Sequence, residues 1–268
     1  MVATVIQPLL FRTRFKLSQF AVYFTALADE RRRAFEDHRI LQADLASGTQ
    51  VRSGLDRYAG QNEVDYWRDY KTAFHREGMD EIVFRGHFCL DTIKALNVPT
   101  VINFGCLYGW LENELHKVGI AATGVDRSQG TAALNRAEFP GPTFAASDIL
   151  DFLPGCDLAG GCFAHLNTGT LVLPNVLAES YRLAHAAGAR YVLIFEPNGG
   201  SRITGRYFPY STEPRQSVVF RDGMLLHNYP ALLRGAGFRV IRQEVLHPLH
   251  PHRDYRSIFF LAERHTEQ

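Results

Sequence analysis

Downstream of Pro99 the sequence alternates between short apolar runs and segments with helical periodicity, and this alternation restricts the fold more than any other feature. Strands that alternate with helices in this way are typical of a parallel β-sheet covered by helices on both faces. The predicted strands are Thr100–Phe104, Ala121–Val125, Thr143–Ala146, Leu158–Phe163, Arg190–Phe195, Phe238–Leu246 and Arg256–Ala262. The fold class is therefore α/β.

The last two predicted strands are joined differently from the others. Only residues 247–255 lie between them, which is too short for a crossover helix, so we expect this pair to be antiparallel. The sequence thus predicts a seven-stranded, mostly parallel sheet with an antiparallel last strand.

Helix boundary signals support this reading. Leu111–Lys117 is followed by Gly119 at a position typical of a helix C-terminus. Ser128 is an N-cap residue for a helix that runs to about Arg136. A further helix begins at Pro174 and ends before Gly188. Met224–Ala236 is also helical, with a kink or restart at Pro230.

The first 97 residues have a different pattern, helical and rich in aromatic residues. The helical stretches are Phe15–Leu45, Asp65–Phe74 and Ile82–Leu96. Within the second stretch, Tyr66, Trp67 and Tyr70 are either core residues or a lid over a ligand. No linker rich in Gly, Ser or Pro separates this part from the sheet. We therefore predict a helical N-terminal cap or lid over residues 1–97 and a sheet domain over residues 98–268.

Composition excludes several classes of protein. The formal net charge of +1 gives no electrostatic reason to expect nucleic acid or a membrane surface as a partner. The four cysteines form no CxxC pair, which favours a reducing, cytoplasmic compartment. No apolar stretch is long enough for a membrane span. His247, His250 and His252 are interrupted by prolines, so we expect no metal site.

Glycines and acidic residues follow the predicted strands at the positions where such sheets bind ligands. The first strand leads into Asn103-Phe-Gly105-Cys-Leu-Tyr-Gly109, and the glycines allow close approach of a ligand. The second strand ends at Asp126, where a carboxylate can accept hydrogen bonds from a ribose. Ser147-Asp148-Ile149 follows the third strand. Two glycines spaced as Gly105 and Gly109 do not match the three-glycine pattern of nicotinamide-binding domains.

These residues resemble the Rossmann-like class I S-adenosylmethionine (SAM)-dependent methyltransferases over about residues 98–264. Asn103–Gly109 matches the family's first motif, with Asn103 in place of the usual acid and Leu107 in place of the middle glycine. Segments Cys162–Asn167, Phe195–Asn198 and Leu233–Phe238 are also similar to family motifs. The resemblance implies SAM as cofactor, and it implies the cofactor-binding residues Asn103, Gly105, Cys106, Tyr108, Gly109, Asp126, Arg127, Asp148, Ile149 and Phe163.

Several of these residues also have purely structural explanations. For Asp148, a role as a helix N-cap explains the residue nearly as well as a role in cofactor binding. Phe163 and Tyr108 are either packed aromatic residues or part of a wall around the adenine or sulfonium. His165 is either a packed histidine or a general base, with Asn167 as an orienting group. The segment 201–221 contains Tyr207 and several arginines and contributes either to an acceptor pocket or only to the surface. The predicted catalytic residues are His165, Asn167 and Tyr207.

Three functions remain open at this level. The main hypothesis is a methyltransferase that moves a methyl group from SAM to an oxygen or nitrogen of a small molecule. The second is a lyase or cyclase of the same fold that releases methylthioadenosine, since a neutral Asn103 would disfavour the ammonium form of the SAM amino group. The third is a scaffold that does not bind SAM. The expected partner is a small-molecule substrate, and the sequence leaves a homodimer open.

Overall fold

The computed structural model of the chain describes residues 79–198, 218–219, 225–246 and 256–265. The helices are α1 (Met79–Leu96), α2 (Trp110–Lys117), α3 (Gln129–Glu138), α4 (Ile149–Phe152), α5 (Pro174–Ala186) and α6 (Tyr229–Gly235). The main-sheet strands are β1 (Thr100–Phe104), β2 (Ala121–Asp126), β3 (Thr143–Ala146), β4 (Cys162–Leu166), β5 (Tyr191–Asn198), β8 (Phe238–Leu246) and β9 (Arg256–Arg264). Short 3₁₀ turns span Leu153–Gly155 and Gly169–Leu171. Strands β6 (Val218–Val219) and β7 (Leu225–Leu226) form a separate two-stranded antiparallel sheet.

The main sheet confirms the predicted fold class. Its seven strands have the order β3-β2-β1-β4-β5-β9-β8, and strands β1 to β5 are parallel to one another. Strand β9 is antiparallel to both β5 and β8, as the short connection predicts. We call the end of the sheet where β1 to β5 terminate the carboxyl edge, and the opposite end the amino edge.

Most element boundaries agree with the sequence, and two predictions are wrong. The fourth strand was expected at Leu158–Phe163 but starts at Cys162, because Gly160 has a positive φ and Gly161 N–H donates to Leu158 O in a turn. His165 consequently lies inside β4 and not after it. The stretch predicted as helix from Met224 contains β7, and α6 begins at Tyr229 with Pro230 in its first turn.

Two apolar cores flank the sheet, one on each face. Alternation along β4 sends Phe163 towards α4, α5 and α6, and Ala164 towards α1 and α2. Both faces of the central strands are therefore buried, which explains their nearly continuous apolar sequence. Within the described residues, no helix is long and apolar enough to cross a membrane.

Candidate functional site at the carboxyl edge

The loop between β1 and α2 is held in one conformation by backbone hydrogen bonds. Gly105 N–H donates to Val125 O at 2.7 Å, and Gly109 N–H donates to Cys106 O at 2.8 Å. Gly105 and Gly109 have φ of 69° and 68°, a region that favours glycine. Gly109 is the N-cap of α2 and provides no side chain to cap the helix. The first turn of α2 therefore presents backbone N–H groups at the carboxyl edge.

The two glycines are required by the protein's own packing. A Cβ on Gly105 would overlap the side chain of Thr168, which follows β4. A Cβ on Gly109 would lie 2.9 Å from both Asn135 and Phe144. The loop thus packs between the elements that follow β2 and β4. This packing requires the two glycines whether or not the loop also binds a ligand.

Asn103 near the end of β1 is paired with a carboxylate that sequence reasoning did not identify. Its Nδ2 donates to Glu112 Oε1 of α2 at 2.6 Å, and both residues are buried. The Asn103 Oδ1 atom is buried and has no hydrogen-bond partner. The sequence signal that could have identified Glu112 is its position, because it is an acidic residue in the first turn of the helix that follows the glycine loop. The structure thus restores a carboxylate next to the position where the family's usual acid is missing.

The pKa of the Cys106 thiol is affected by the carboxylates near this loop. Burial raises the pKa of Cys106 well above its ordinary value, and the nearby carboxylates of Glu112 and Asp126 raise it further. Its side chain packs where a Cβ on Gly124 would lie and accepts from Asn135 Nδ2 at 3.8 Å. Burial and the raised pKa disfavour the thiolate form of Cys106, which is the reactive form.

The predicted acids after β2 and β3 are both engaged with nearby backbone. Asp126 Oδ1 accepts from Ser128 N–H at 2.9 Å, which orients the carboxylate at the end of β2. Asp148 is the N-cap of α4 and accepts from Leu150 N–H at 2.9 Å, as the structural explanation predicts. Arg127 Nε lies 3.8 Å from Asp148 Oδ2, so this exposed pair joins the two strand ends.

His165 lies in a fully buried polar cluster. Its Nδ1 is 2.7 Å from Glu196 Oε1, and its Nε2 is 2.7 Å from the Tyr181 hydroxyl. The His165 side chain and the Glu196 side chain have no exposed surface. Both ring nitrogens are thus engaged, which agrees with a packed histidine. Proton transfer to His165 from a substrate would require this cluster to open.

Glu196 organises the turn that follows β4. Besides His165, its Oε1 accepts from Thr168 N–H at 3.1 Å and from Gly169 N–H at 2.8 Å. His227, which precedes α6, contacts the carbonyl of Gly169 through Nε2 at 2.8 Å. The turn is therefore fixed from β5 and from the segment before α6. These contacts give Glu196 a structural role.

Asn167 is the predicted catalytic residue that this turn presents. It has a positive φ of 57°, and its N–H donates to Phe195 O at 2.8 Å. Its Oδ1 is buried without a hydrogen-bond partner. Asn103 and Asn167 thus each place an unpartnered amide oxygen at the carboxyl end of one of two neighbouring strands.

Phe163 and Ile149 lie in an apolar core, whereas Tyr108 lies in the loop at this edge. Phe163 is fully buried within β4, with its ring centroid 6.3 Å from that of Tyr181. The side chain of Ile149 belongs to the same apolar core. Tyr108 is half-buried in the glycine loop. The remaining candidates lie outside the described residues, namely Tyr66, Trp67, Tyr70, Tyr207, His247, His250 and His252. No group of three potential metal ligands occurs among the residues that are described.

Comparison with solved structures identifies the fold. Magnesium protoporphyrin IX methyltransferase from Synechocystis PCC 6803, crystallised with SAM, has a TM-score of 0.52 at 16% identity, covering 78% of this chain and 94% of that one. The 1,6-didemethyltoxoflavin-N1-methyltransferase of Burkholderia thailandensis gives 0.52 at 15% identity, covering 74% and 87%. A TehB-like methyltransferase from Corynebacterium glutamicum gives 0.51 at 10% identity, covering 73% and 98%.

These similarities show that the chain has the Rossmann-like fold of SAM-dependent methyltransferases. At these identities the likeness extends to the fold alone. No family model matches the sequence, and no curated protein matches it at a significant level.

Proposed function

We propose that this protein binds SAM at the carboxyl edge and transfers its methyl group to an oxygen or nitrogen of a small molecule. The observation that carries the proposal is the buried Asn103–Glu112 pair, which leaves an amide oxygen without a partner beside a carboxylate. An ammonium group can donate a hydrogen bond to such an acceptor and is attracted by the adjacent carboxylate. The amino group of SAM is a ligand of this kind.

The residues around the pair suit the rest of the molecule. Asp126, oriented by Ser128, would accept hydrogen bonds from the ribose hydroxyls. Gly105 and Gly109 let the backbone approach the ligand, and Tyr108 would provide an aromatic wall next to it. Asp148, Arg127 and the backbone of Ile149 would lie on the adenine side, while Asp148 continues to cap α4.

When bound, SAM supplies a sulfonium-linked methyl group that a nucleophile can attack directly. The chain's contribution would then be to position the two reactants and exclude water. Asn167 would orient the acceptor through its buried Oδ1. Tyr207 and the part of the predicted cap that precedes α1 would complete the acceptor pocket, since α1 itself packs on a face of the sheet.

The role of His165 within this proposal is positional. Through Glu196 it fixes the turn carrying Thr168 and Gly169, and therefore the neighbouring Asn167. If His165 instead accepts a proton from the substrate, His165→Gln would change the pH profile of kcat. A positional role predicts the same pH profile at a reduced kcat.

The cyclase hypothesis depended on the absence of an acid near position 103. Glu112 lies within hydrogen-bond distance of Asn103, so the site retains a charge that favours the ammonium form. We therefore favour methyl transfer over intramolecular attack by the SAM amine. Mass spectrometry after incubation with SAM alone separates the two, because only cleavage releases methylthioadenosine without an acceptor.

The binding of the amino group has a direct test. Glu112→Gln keeps the shape of the side chain but removes its charge. We expect about a tenfold loss of affinity for S-adenosylhomocysteine, equivalent to ~1.4 kcal/mol, by titration calorimetry. Methylthioadenosine lacks the amino acid portion, so its affinity should be unchanged. Equal losses for both ligands would contradict the assignment of the ammonium to this pair.

The ribose assignment is tested at the end of β2. Asp126→Ala should weaken S-adenosylhomocysteine binding at least about tenfold, since charge-assisted hydrogen bonds contribute roughly 1.5–3 kcal/mol each. Asp157→Ala, an exposed acid in the loop before β4, is the matched control and should bind like the parent. If the parent itself shows neither heat nor thermal shift at millimolar ligand, the protein is a scaffold and not a SAM enzyme.

The proposed cap is tested by deleting residues 1–60. Loss of the cap should abolish turnover and expose apolar surface, because the helical segment is expected to cover the carboxyl edge. A soluble truncation with full turnover would show that these residues are only an appendage.

A further inference from the structure

A cleft of about 880 Å³ lies at the amino edge, far from the candidate SAM site along the strands. It is bordered by α5, α6, the start of β8 and the end of β9. Phe238 at the start of β8 pairs with Arg264 at the end of β9, which fixes the cleft at this end of the sheet. Its volume is within the range of small-molecule pockets.

The cleft is lined by basic side chains. Arg234, Arg239 and Arg264 contribute to it together with His185 and His265, and no Asp or Glu is among the described residues that line it. The whole chain has a formal net charge of only +1, so this is a local concentration of positive charge. Positive groups in a concave surface focus the field that attracts anions.

Three other arginines on the described surface are paired with carboxylates. Arg182 pairs with Glu179, Arg190 with Glu263, and Arg242 with Glu244. In the part of the chain that the structure describes, the three cleft arginines have no ion pair of this kind. Their guanidinium groups are therefore available to an external anion.

Helix dipoles account for only part of this arrangement. Arg234 and His185 lie in the last turns of α6 and α5, where a positive charge interacts favourably with the helix C-terminus. Arg239 and Arg264 lie on strands and have no such explanation. Burial and the nearby charge of Arg264 lower the pKa of His185, so the positive charge in the cleft comes from the three arginines.

We propose that this cleft is a binding site for a small polyanion that carries two or more phosphate groups. A guanidinium group binds two oxygens of a phosphate at once. Three guanidinium groups offer more hydrogen-bond donors than a single carboxylate can accept, which favours a ligand with several phosphates. The site lies at the opposite end of the sheet from the proposed SAM site, so it does not hold the methyl acceptor during transfer. It is a second, separate ligand site on the same domain.

The test is titration calorimetry of the full chain with tripolyphosphate at about 150 mM salt, where weak surface attraction is screened. We expect one site per chain. The double variant Arg239→Gln/Arg264→Gln should weaken binding at least tenfold. The double variant Lys117→Gln/Arg182→Gln removes the same charge from exposed positions outside the cleft and should change binding less than twofold. Thermal unfolding of each variant checks that the fold is retained.

Three results would overturn the proposal. The parent chain could fail to bind tripolyphosphate, or both double variants could lose affinity equally, which would indicate net charge and not a site. A single-stranded RNA that binds more tightly than tripolyphosphate and depends on Arg239 and Arg264 would assign the cleft to nucleic acid instead. S-adenosylhomocysteine affinity, measured in the same variants, should stay unchanged, so the outcome is independent of the proposed methyl transfer.

Discussion

The two edges of the sheet use polar residues in opposite ways. At the carboxyl edge, Asn103, Glu112, His165 and Glu196 are buried and hydrogen-bonded to one another or to backbone. At the amino edge, the cleft arginines are solvated and unpaired among the described residues. Buried polar groups are costly unless partnered, so they fix one geometry, whereas solvated charges attract a ligand without organising the fold. The difference indicates that the carboxyl edge is coupled to stability and the amino edge is not.

The largest loss of stability is expected for Glu196→Ala. It removes the acceptor of three donors, His165 Nδ1–H and the N–H groups of Thr168 and Gly169, and leaves them buried. We expect the free energy of unfolding to fall by about 3–5 kcal/mol in urea denaturation, as for a broken buried pair. Glu179→Ala, in the exposed pair with Arg182, should leave the midpoint unchanged. A loss for Glu196→Ala below about 1 kcal/mol would contradict a structural role.

Gly105→Ala should have the next largest effect. Its positive φ is unfavourable for alanine, and the new Cβ overlaps Thr168. Gly119 has a similar φ of 80°, but a Cβ there would meet nothing within 4 Å. Gly119→Ala therefore measures only the free-energy cost of alanine at a positive φ. We expect Gly105→Ala to be less stable than Gly119→Ala by roughly 1–3 kcal/mol, the usual range for overpacking. Equal losses would show that the loop does not pack tightly on Thr168.

His227 makes the carboxyl edge sensitive to acid. Burial lowers its pKa from 6.5 to about 3, and the hydrogen bond to Gly169 opposes this only in part. The unfolded state therefore binds more protons, and stability falls as the pH decreases from about 6.5 towards 3, by up to ~1.4 kcal/mol per pH unit. His227→Gln keeps a donor for Gly169 but cannot be protonated. Its unfolding free energy should depend less steeply on pH in this window, and an unchanged slope would refute the assignment.

The smallest effect is expected at the amino edge. Arg239→Gln/Arg264→Gln removes two positive charges from neighbouring positions, and neither arginine has an ion pair with a described carboxylate. The thermal unfolding midpoint should therefore be unchanged or slightly higher at low salt. A marked fall in the midpoint would mean that these arginines stabilise the fold and that the two edges are alike.

Much of the fold could be predicted because its signals are local. β1, β3 and β8 have the predicted boundaries, and Ser128 and Pro174 begin helices as expected. The start of β4 was misplaced because Leu158 is apolar and fully buried although it lies outside the strand. Apolar character reports burial, whereas the Gly160–Gly161 turn decides where pairing begins.

The alternation of strands and helices, the antiparallel last strand and the glycine loop can be predicted from the sequence, since each depends on residues close together in the chain. Which polar groups meet depends on the tertiary structure. Glu196 reaches His165 across 31 positions because β4 and β5 are paired neighbours with Leu166 opposite Phe195. Glu112 reaches Asn103 because the loop turns α2 back over β1. Such contacts depend on strand register and helix placement, which are set by packing over the whole sheet and not by any local pattern.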